Sequence, residues 1–355
     1  MRSTGWILNA TGAFDADFAR LRRAIDFNLH GRSILLTGGT GFFGLWLIEL
    51  FDWLRRAEGM DITVHVVSRD PEAAVRQRPV YSERPWLCFI KGDVRSFSAP
   101  LEPVDYVLHA ATDTSAEAGQ SALEMFDVIV GGTRHVLEMT RKLGCGRVLL
   151  VSSGAVYGLS SATEGKIQET RVTAPDPLAL SSAYGEGKRA SEALGAYISQ
   201  HAALDVVTAR CFAFVGAGLP LGGHFAMGNF LRDALQGRKL VLNSTGQSLR
   251  SYLYAADLSV WLLTLLLKGR AGAAYNVGSD HEIDILSTAR LVRDIVAPQC
   301  SVTVAENPAA GATFYVPSIA RARDELGLKV WTPLDYAVLR TAEDARRCDL
   351  YGGIA

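Results

Sequence analysis

The 355-residue sequence predicts an α/β protein with a doubly wound parallel sheet, helices on both faces and a smaller C-terminal lobe. Short apolar runs that fit buried strands alternate with amphipathic stretches of helical length over residues 31–180. Within residues 33–44, one such strand leads into one such helix through a glycine-rich turn. Alternation of this kind indicates βαβ units, because parallel strands are joined by long crossovers that are usually helices.

The glycine-rich turn gives the most specific signal. Residues 34–36 are apolar, and Gly38, Gly41 and Gly44 follow before the helical pattern begins. This order is the context of a dinucleotide-binding fingerprint, in which Gly38 permits a tight turn and Gly41 lets the backbone approach a pyrophosphate. Gly44 lets the helix pack closely on the strand, and the helix N-terminus offers free N–H groups to phosphates. The sequence therefore predicts a Rossmann-like cofactor domain; an ordinary glycine loop is the weaker alternative.

The end of the second predicted strand bears on the choice of cofactor. Residues 61–67 alternate and are rich in β-branched side chains, and Ser68 and Arg69 follow them. An acidic residue at this place would bond the ribose 2′-hydroxyl and repel a 2′-phosphate. A hydroxyl and a guanidinium suit a phosphate instead. We therefore expect NADP(H), with NAD(H) as the alternative; Arg69 stacking on the adenine or standing as a surface charge would remove this preference.

Composition argues against several other classes of protein. The net charge is -1 and no long run of Lys or Arg occurs, so nothing points to a nucleic acid or a membrane surface. The longest apolar run, residues 260–267, is too short to span a bilayer. The N-terminus lacks the pattern of a secretory signal. The 5 cysteines are scattered, so we expect no structural disulfide, no metal site and a cytoplasmic enzyme.

The chain divides into three parts by pattern. Residues 1–30 form an N-terminal extension, in which Phe14 to Leu29 predicts an amphipathic helix that packs on the fold; a lid or an oligomer contact is the alternative. Residues 31–180 form the dinucleotide-binding core. Residues 181–355 hold the remainder of the core and an interleaved C-terminal lobe for the substrate, with the cleft between them as the expected site.

A serine, a tyrosine and a lysine carry the predicted chemistry. Ser153 follows the apolar strand at residues 147–151, at the edge where parallel sheets meet ligands. Tyr184 and Lys188 are four residues apart and share one helical face. A phenol has a pKa near 10, and a nearby ammonium together with a positive nicotinamide is expected to lower it. A Tyr–Lys pair also occurs by chance on surface helices, but its combination with the fingerprint favours an oxidoreductase.

These motifs resemble one known family. The turn at residues 37–44, the string at residues 151–158 and the Ser153, Tyr184 and Lys188 set are similar to the extended branch of the short-chain dehydrogenase/reductase superfamily. That branch includes nucleotide-sugar epimerases, dehydratases and reductases, and the resemblance runs from about residue 31 to about residue 285. It implies a homodimer joined by a four-helix interface and Ser153, Tyr184 and Lys188 as catalytic residues.

The fingerprint and the resemblance together give the candidate binding residues. Those for the cofactor are Gly38, Thr40, Gly41, Phe42, Phe43, Gly44, Ser68, Arg69, Asp93, Val94, Ala110, Ala111, Thr112, Tyr184 and Lys188. Those for the substrate are Ser153, Gly154, Tyr184, Asn229 and Arg250. By the resemblance, Asp93 contacts the adenine, and the small side chains at 110–112 leave room for the nicotinamide side of the cofactor. Asn229 and Arg250 hold the diphosphate of a nucleotide sugar. A salt bridge between Arg250 and Asp257 is the structural alternative.

The residues after Ser153 bear on the reaction. Dehydratases of this branch carry Asp and then Glu there, whereas this chain has Gly154 and Ala155, which cannot transfer a proton. Epimerases usually keep NAD bound, while a net reductase consumes hydride that cells supply mainly as NADPH. The Ser68–Arg69 pair therefore favours a reductase, and the family suggests a nucleotide-linked 4-keto-6-deoxyhexose as its substrate. A nucleotide-sugar epimerase with retained NAD(P) is one alternative, and a non-catalytic NADP(H)-binding sensor or scaffold is another.

The resemblance also points to the helices of the dimer contact. The helix from Met125 and the helix bearing Tyr184 are the candidates. Their possible apolar contacts are Met139, Leu143, Leu194 and Tyr197. The alternative is that these side chains face their own sheet.

Overall fold

The computed structural model describes residues 11–98, 103–112, 121–201, 204–223, 225–309 and 311–347. Its strands are β1 (Arg32–Thr37), β2 (Ile62–Ser68), β3 (Leu87–Lys91), β4 (Tyr106–His109), β5 (Arg147–Ser153), β6 (Asp205–Cys211), β7 (Phe214–Val215), β8 (Leu240–Ser244), β9 (Leu249–Arg250), β10 (Leu253–Tyr254), β11 (Ala274–Val277), β12 (Ile283–Asp284), β13 (Val302–Ala309) and β14 (Phe314–Tyr315). Its α-helices are α1 (Asp15–Arg20), α2 (Phe42–Glu58), α3 (Pro71–Gln77), α4 (Ala122–Lys142), α5 (Ala183–His201), α6 (Ala226–Leu235), α7 (Ala255–Lys268), α8 (Ile285–Val296), α9 (Ala320–Leu326) and α10 (Leu334–Arg347).

A seven-stranded parallel sheet forms the centre of the molecule. Its strand order is β11-β6-β5-β4-β1-β2-β3, and each neighbouring pair runs parallel. The predicted doubly wound sheet is therefore confirmed. Strands β2 and β3 continue from one side of β1, whereas β4, β5 and β6 continue from the other. The strand order reverses between β1 and β4, and ligands of open parallel sheets bind at the carboxyl ends of such a pair.

Successive residues of β1 supply the two faces of this sheet, as the alternation of side chains along a strand requires. Ile34 and Leu36 pack into a core with α2 and α7, while Leu35 packs into a second core with α4. All three side chains are fully buried. The continuous apolar run of the strand thus follows from coverage on both faces.

The longest apolar run of the sequence lies in α7, which is buried from Ala255 to Leu266. The helix packs against the sheet and against α2. Across the described ranges, no helix combines the length with the apolar character needed to cross a bilayer. Four cysteines in these ranges carry free thiols, namely Cys88, Cys145, Cys211 and Cys300, and Cys348 lies outside the ranges.

Short strands form the C-terminal lobe around the carboxyl edge of the sheet. Strand β7 pairs with β10, β8 pairs with β13, and β9 lies between β12 and β14. In the last of these sheets, Arg250 of β9 is in register with Tyr315 of β14. Two residues that are distant in sequence therefore come to lie side by side.

The N-terminal extension differs from the single helix that its pattern predicts. The chain forms α1 and a 3-10 turn at Arg22–Ala24 and is non-helical from Ile25 onward. The side chain of Asn28 accepts a hydrogen bond from the His30 N–H, and local bonds of this kind compete with helix formation. Ile25 and Leu29 are nevertheless buried as predicted, so the apolar spacing was interpreted correctly and the conformation was not. The first ten residues lie outside the described ranges.

Candidate active site

The glycine turn connects β1 to α2 in the predicted manner. Gly38 has a φ of 76°, and a Cβ there would stand 2.7 Å from the Ala110 backbone. A Cβ at Gly44 would stand 2.2 Å from the backbone of Gly39, so the helix packs closely on the turn itself rather than on the strand. Around Gly41 a Cβ would meet only the Gly38 carbonyl oxygen, at 3.5 Å. The turn is thus tight at two glycines and open at the third.

The open glycine lies at the start of a helix that has no side-chain cap. Gly41 is the N-cap residue of α2 and has no side chain that could accept from the first-turn N–H groups. The first N–H groups of a helix have no partner within the helix, so they suit an anion. Open space beside Gly41 together with these donors fits a pyrophosphate. Thr40 lies in this turn, and Phe42 and Phe43 are the first two residues of α2, as the strand–turn–helix order of the fingerprint requires.

The carboxyl ends of β2 and β3 place three predicted residues at one end of the site. Ser68 ends β2, is buried and accepts a hydrogen bond from the Asp70 N–H at 3.2 Å. Arg69 is exposed, and its charge is near enough to Asp93 to help lower the pKa of that carboxyl. Hydrogen bonds from Arg95 are the main reason that the pKa of Asp93 falls to about 2. Arg95 is a second cation at this end that the sequence analysis did not find.

The small residues after β4 lie between the glycine turn and α5. The Ala110 N–H donates to the Thr37 carbonyl at 3.2 Å, and the Ala111 N–H donates to the Thr37 Oγ1 at 3.2 Å. Thr112 Oγ1 accepts from Lys188 Nζ at 2.7 Å. The predicted stretch 110–112 therefore links the cofactor turn to the predicted catalytic lysine.

Lys188 is an internal cation. Its side chain is buried, and Nζ also donates to the Val151 carbonyl at 2.8 Å. Burial lowers the pKa of this ammonium to about 8, while the nearby Cys211 and Glu192 oppose the shift. The two oxygen acceptors and the nearby carboxylate of Glu192 stabilise the positive charge, because a buried ammonium without partners would be costly.

Tyr184 lies next to Lys188 but does not direct its hydroxyl at the ammonium. Lys188 Nζ is 5.9 Å from the centroid of the Tyr184 ring. Burial raises the pKa of Tyr184 to about 12, and a hydrogen-bonding interaction with Ser153 opposes the rise. Burial therefore dominates the pKa of Tyr184 in the chain alone, and the expected lowering by the ammonium together with a positive nicotinamide stays a prediction. A lower pKa needs charge from a bound partner.

The residue after Ser153 has no room for a side chain. A Cβ at Gly154 would stand 2.7 Å from the Tyr315 hydroxyl oxygen and 2.9 Å from two ring carbons of Phe212. Ser153 Oγ accepts from the Ala155 N–H at 3.1 Å, which closes the 3-10 turn at Gly154–Tyr157. Tyr315 escaped the sequence analysis because it belongs to a two-residue strand far along the chain, and no local pattern marks it.

Arg250 is a partly buried cation beside Tyr315. Its guanidinium donates to the Leu249 carbonyl at 2.8 Å and to Thr313 Oγ1 at 2.8 Å. Burial lowers its pKa, and no acidic side chain in the described ranges pairs with it. Asp257 instead accepts from Thr332, so the structural alternative of an Arg250–Asp257 bridge is wrong.

Asn229 stands apart from this cluster. Its Nδ2 donates to the Gly223 carbonyl at 3.0 Å, and its Oδ1 accepts from Arg232 at 3.2 Å. Both contacts are local to α6 and the loop before it, and none of its contacts within the described ranges reaches Ser153 or Arg250. The structure thus brings Ser153, Tyr184, Lys188 and Arg250 into one cluster and leaves Asn229 outside it.

A polar network behind the cluster fixes the strand ends. Arg210 pairs with Glu192 at 2.7 Å, and Glu192 accepts from the Ser152 hydroxyl at 2.5 Å. Arg210 also donates to the Tyr157 hydroxyl at 2.8 Å, which in turn donates to Asn276 Oδ1 at 2.8 Å. These bonds join β5, β6 and β11 to α5, so they hold Ser153 and Lys188 in a fixed relation. Burial lowers the pKa of a separate internal residue, His109, to about 3, and its Nδ1 lies 2.7 Å from the Thr37 hydroxyl.

Comparison with known proteins gives a family match over most of the chain. The family described as "NAD dependent epimerase/dehydratase family" matches residues 34–278. UDP-glucuronic acid decarboxylase 1 of Arabidopsis thaliana is 26% identical over 301 residues, which is 84% of this chain and 66% of the relative.

Solved structures share the fold at low identity. DesIV, a dTDP-glucose 4,6-dehydratase from Streptomyces venezuelae with NAD and TYD bound, has a TM-score of 0.75 and 24% identity, over 89% of this chain and 97% of its own. RMD from Pseudomonas aeruginosa, complexed with NADPH, has a TM-score of 0.71 and 23% identity, over 88% and 98%. Proteins of this fold thus bind either nicotinamide cofactor.

Proposed function

We propose that this chain, which belongs to the NAD dependent epimerase/dehydratase family, is an NADP(H)-dependent reductase of a nucleotide-linked keto-sugar of the 4-keto-6-deoxyhexose type. The observation that carries the proposal is the cluster of Ser153, Tyr184 and Lys188 at the carboxyl edge of the sheet, next to Gly154 and Ala155. A hydroxyl, a phenol and an ammonium suit proton transfer to a carbonyl oxygen. No side chain at 154 or 155 can carry out the acid–base steps of an elimination.

The substrate class is inferred from the relatives and from one charge. The relatives' names refer to UDP-glucuronic acid and to dTDP-glucose, which are nucleotide sugars. Arg250 is a partly buried guanidinium that the described part of the chain leaves without an acidic partner. A diphosphate would supply the missing anion through charge-assisted hydrogen bonds. Asn229 is more remote, and its role at the diphosphate requires that α6 and its loop lie along the same substrate.

The cofactor would be held along the edge from Ser68 to Lys188. The open space at Gly41 and the free N–H groups of α2 fit a pyrophosphate, and Arg69 favours a 2′-phosphate. Asp70 follows Arg69 directly, and its negative charge opposes a 2′-phosphate. Its carboxylate is engaged elsewhere, because it caps α3 by accepting a hydrogen bond from the Ala73 N–H. NADPH would supply the hydride that forms the new C–H bond at the keto carbon.

The chain's own residues supply the proton side of this reduction. The carbonyl oxygen gains a proton as the carbon gains hydride, so the product is a secondary alcohol and an oxidised cofactor. Tyr184 is assigned as the proton donor, and Ser153 donates a hydrogen bond to the oxygen on which negative charge develops. Lys188 is assigned to bind the nicotinamide ribose, in addition to its contacts with Thr112 and Val151.

The test is turnover of NADPH with a panel of nucleotide-linked keto-sugars. We expect oxidation of NADPH with a 4-keto-6-deoxyhexose, much faster than oxidation of NADH. Tyr184→Phe keeps the ring and should lower single-turnover hydride transfer by about 100- to 10,000-fold, the usual range for acid–base assistance. Tyr336→Phe, on α10, is the matched control and should leave turnover unchanged. Absence of turnover with the whole panel, or a Tyr184→Phe protein as fast as the parent, would contradict the proposal.

The second candidate function is an internal redox cycle, in which the enzyme oxidises its nucleotide-sugar substrate and then re-reduces it with the same bound cofactor. The matched relative is a decarboxylase by name, and the partly buried Arg250 could hold the carboxylate of a sugar acid as well as a diphosphate. By the resemblance, an epimerase of this branch re-reduces its own intermediate and usually keeps its cofactor bound, and the second candidate extends this cycle to a sugar acid. Mass spectrometry of the purified protein, followed by incubation with UDP-glucose and UDP-glucuronic acid, separates the cases. Retained NAD and a new sugar without added NADPH would favour this candidate.

A homodimer through α4 and α5 also remains a proposal, and the structure narrows it. Met139, Leu143 and Leu194 pack in a core cluster of their own chain, so these predicted contacts face inward. Of the predicted contacts, Tyr197 on α5 remains, because it is 65% exposed, and Leu123 on α4, which is 78% exposed, is a new candidate. Light scattering at micromolar concentration should give a dimer, and Tyr197→Asp should shift it toward monomer. A monomeric parent would contradict the dimer.

A further inference from the structure

Ser153 has two phenol neighbours, and the second of them is not among the predicted site residues. Tyr184 on α5 and Tyr315 on β14 each interact with Ser153 in a way that opposes the rise of their pKa on burial, and the Tyr315 hydroxyl lies 2.7 Å from where a Cβ at the adjacent Gly154 would stand. The Tyr315 ring packs on Phe212, with the two ring centroids 4.6 Å apart. Register with Arg250 fixes the backbone of Tyr315 as well. Tyr315 is therefore held from two sides at a defined place next to the Ser153 hydroxyl.

The hydrogen-bonding capacity of Ser153 limits what two phenols can do there. A serine hydroxyl donates one hydrogen bond and accepts two. The Ala155 N–H already occupies one acceptor site, at 3.1 Å. One acceptor site and one donor remain for the two phenols and for a substrate. If Tyr184 filled the acceptor site, its proton would point at Ser153 and would not be available to a substrate.

We propose that Tyr315 is a positioning residue that donates to the second acceptor site of Ser153 and so leaves the protons of Ser153 and Tyr184 free for the substrate oxygen. This inference rests on the proposed reductase function, because it assigns both protons to one carbonyl oxygen. Hydrogen bonds in a chain strengthen one another, so Ser153 becomes a stronger donor when Tyr315 donates to it. The stronger hydrogen bond from Ser153 stabilises the substrate oxygen, which becomes negatively charged in the transition state.

The missing side chain at Gly154 belongs to the same arrangement. A Cβ at this position would force the Tyr315 hydroxyl or the Phe212 ring to move, because both would lie within 3.0 Å of it. By resemblance, the dehydratases carry an acidic side chain here. In this chain the hydroxyl of Tyr315, on β14, occupies the space that such a side chain would need.

A double-mutant cycle tests whether Tyr315 acts through Ser153. Tyr315→Phe should lower kcat about tenfold, which is the size of effect expected from one hydrogen bond, and should leave KM within about twofold. In the Ser153→Ala background the same substitution should have no effect on kcat, because the acceptor is gone. Tyr336→Phe serves as the control in both backgrounds. A loss of equal size in both backgrounds would overturn the proposal, since it would show that Tyr315 acts on its own or on the fold.

A second readout needs no substrate and so separates this inference from the proposed reaction. Carbon-13 NMR of ring-labelled tyrosine follows the pKa of Tyr184 in the protein with NADP+, and Tyr184→Phe assigns the signal. Tyr315→Phe should raise this pKa, because Ser153 becomes a weaker donor to the phenolate, and should leave it unchanged in the Ser153→Ala background. If the pKa of Tyr184 shifts in this way but the protein reduces no keto-sugar, the proposed reductase function is wrong and the positioning role of Tyr315 stands. An unchanged pKa in both backgrounds would overturn the positioning role.

Discussion

Substitution by alanine should have different effects at two glycines of the glycine turn. At Gly44 it should lower stability, and at Gly41 it should lower cofactor affinity. A Cβ at Gly44 would stand 2.2 Å from the carbonyl carbon and oxygen of Gly39, and these atoms would have to separate by more than 1 Å to reach ordinary contact. The obstacle is backbone, which cannot rotate aside as a side chain can. A Cβ at Gly41 meets one atom at 3.5 Å, and the φ of -90° there is open to any residue.

The stability of the two variants should differ accordingly. Overpacking a well-filled interior costs about 1–3 kcal/mol, and a clash with backbone belongs at the upper end. We therefore expect Gly44→Ala to lower the free energy of unfolding by about 3 kcal/mol, which is roughly a hundredfold in the unfolding equilibrium. Gly41→Ala should change it by less than about 0.5 kcal/mol.

Cofactor affinity provides the complementary measurement. The new methyl group at 41 would enter the space that we assign to the pyrophosphate, so NADPH affinity should fall although the fold is intact. Urea unfolding gives the stability, and NADPH fluorescence titration gives the affinity. A Gly44→Ala protein as stable as the parent would refute the packing argument. A Gly41→Ala protein that binds NADPH as tightly as the parent would refute the assignment of the pyrophosphate.

Three further predictions concern single charges. Arg69→Ala should weaken NADP(H) far more than NAD(H), since a hydrogen bond to a charged group contributes about 1.5–3 kcal/mol, and an equal loss for both in calorimetric titration would remove Arg69 from the 2′-phosphate. Arg250→Ala should raise KM for the nucleotide sugar strongly and leave cofactor affinity unchanged, and free sugars that turn over as well as nucleotide-linked ones would contradict its role. Burial raises the pKa of Asp344, in α10, to about 7, above its unfolded value of about 3.9. Its contribution to stability is therefore full below about pH 4 and is lost as the pH rises through 7, so Asp344→Asn should flatten this fall in urea unfolding; an unchanged pH profile would refute it.

The fold was predictable because its signals are local. Apolar runs, glycine spacing and helical periodicity each lie within a few residues, and the parallel sheet with its glycine turn followed from them. The Tyr184–Lys188 spacing was equally local, and the structure places both side chains at the carboxyl edge beside Ser153. The N-terminal helix was overextended because the bond between the Asn28 side chain and the His30 N–H has no periodic signature.

What escaped prediction depends on contacts between distant parts of the chain. Tyr315 reaches Ser153 only because β14 pairs with β9, and a two-residue strand leaves no pattern to read. The effect of burial on Tyr184 was hidden for a similar reason. The spacing of four residues placed an ammonium near a phenol, but it could not show that burial of the phenol raises its pKa in the chain alone.

Lys188 therefore holds the fold together as well as serving the proposed chemistry. Its ammonium joins α5 to the segment after β4 and to β5, inside a space with little water. A substitution that removed the charge would strip a donor from two internal oxygens at once, and an unpaired internal polar group is costly. Replacement of the lysine is therefore expected to lower stability even in a variant that performs no catalysis. Persistence of this residue in a sequence is evidence of an intact architecture before it is evidence of an active enzyme.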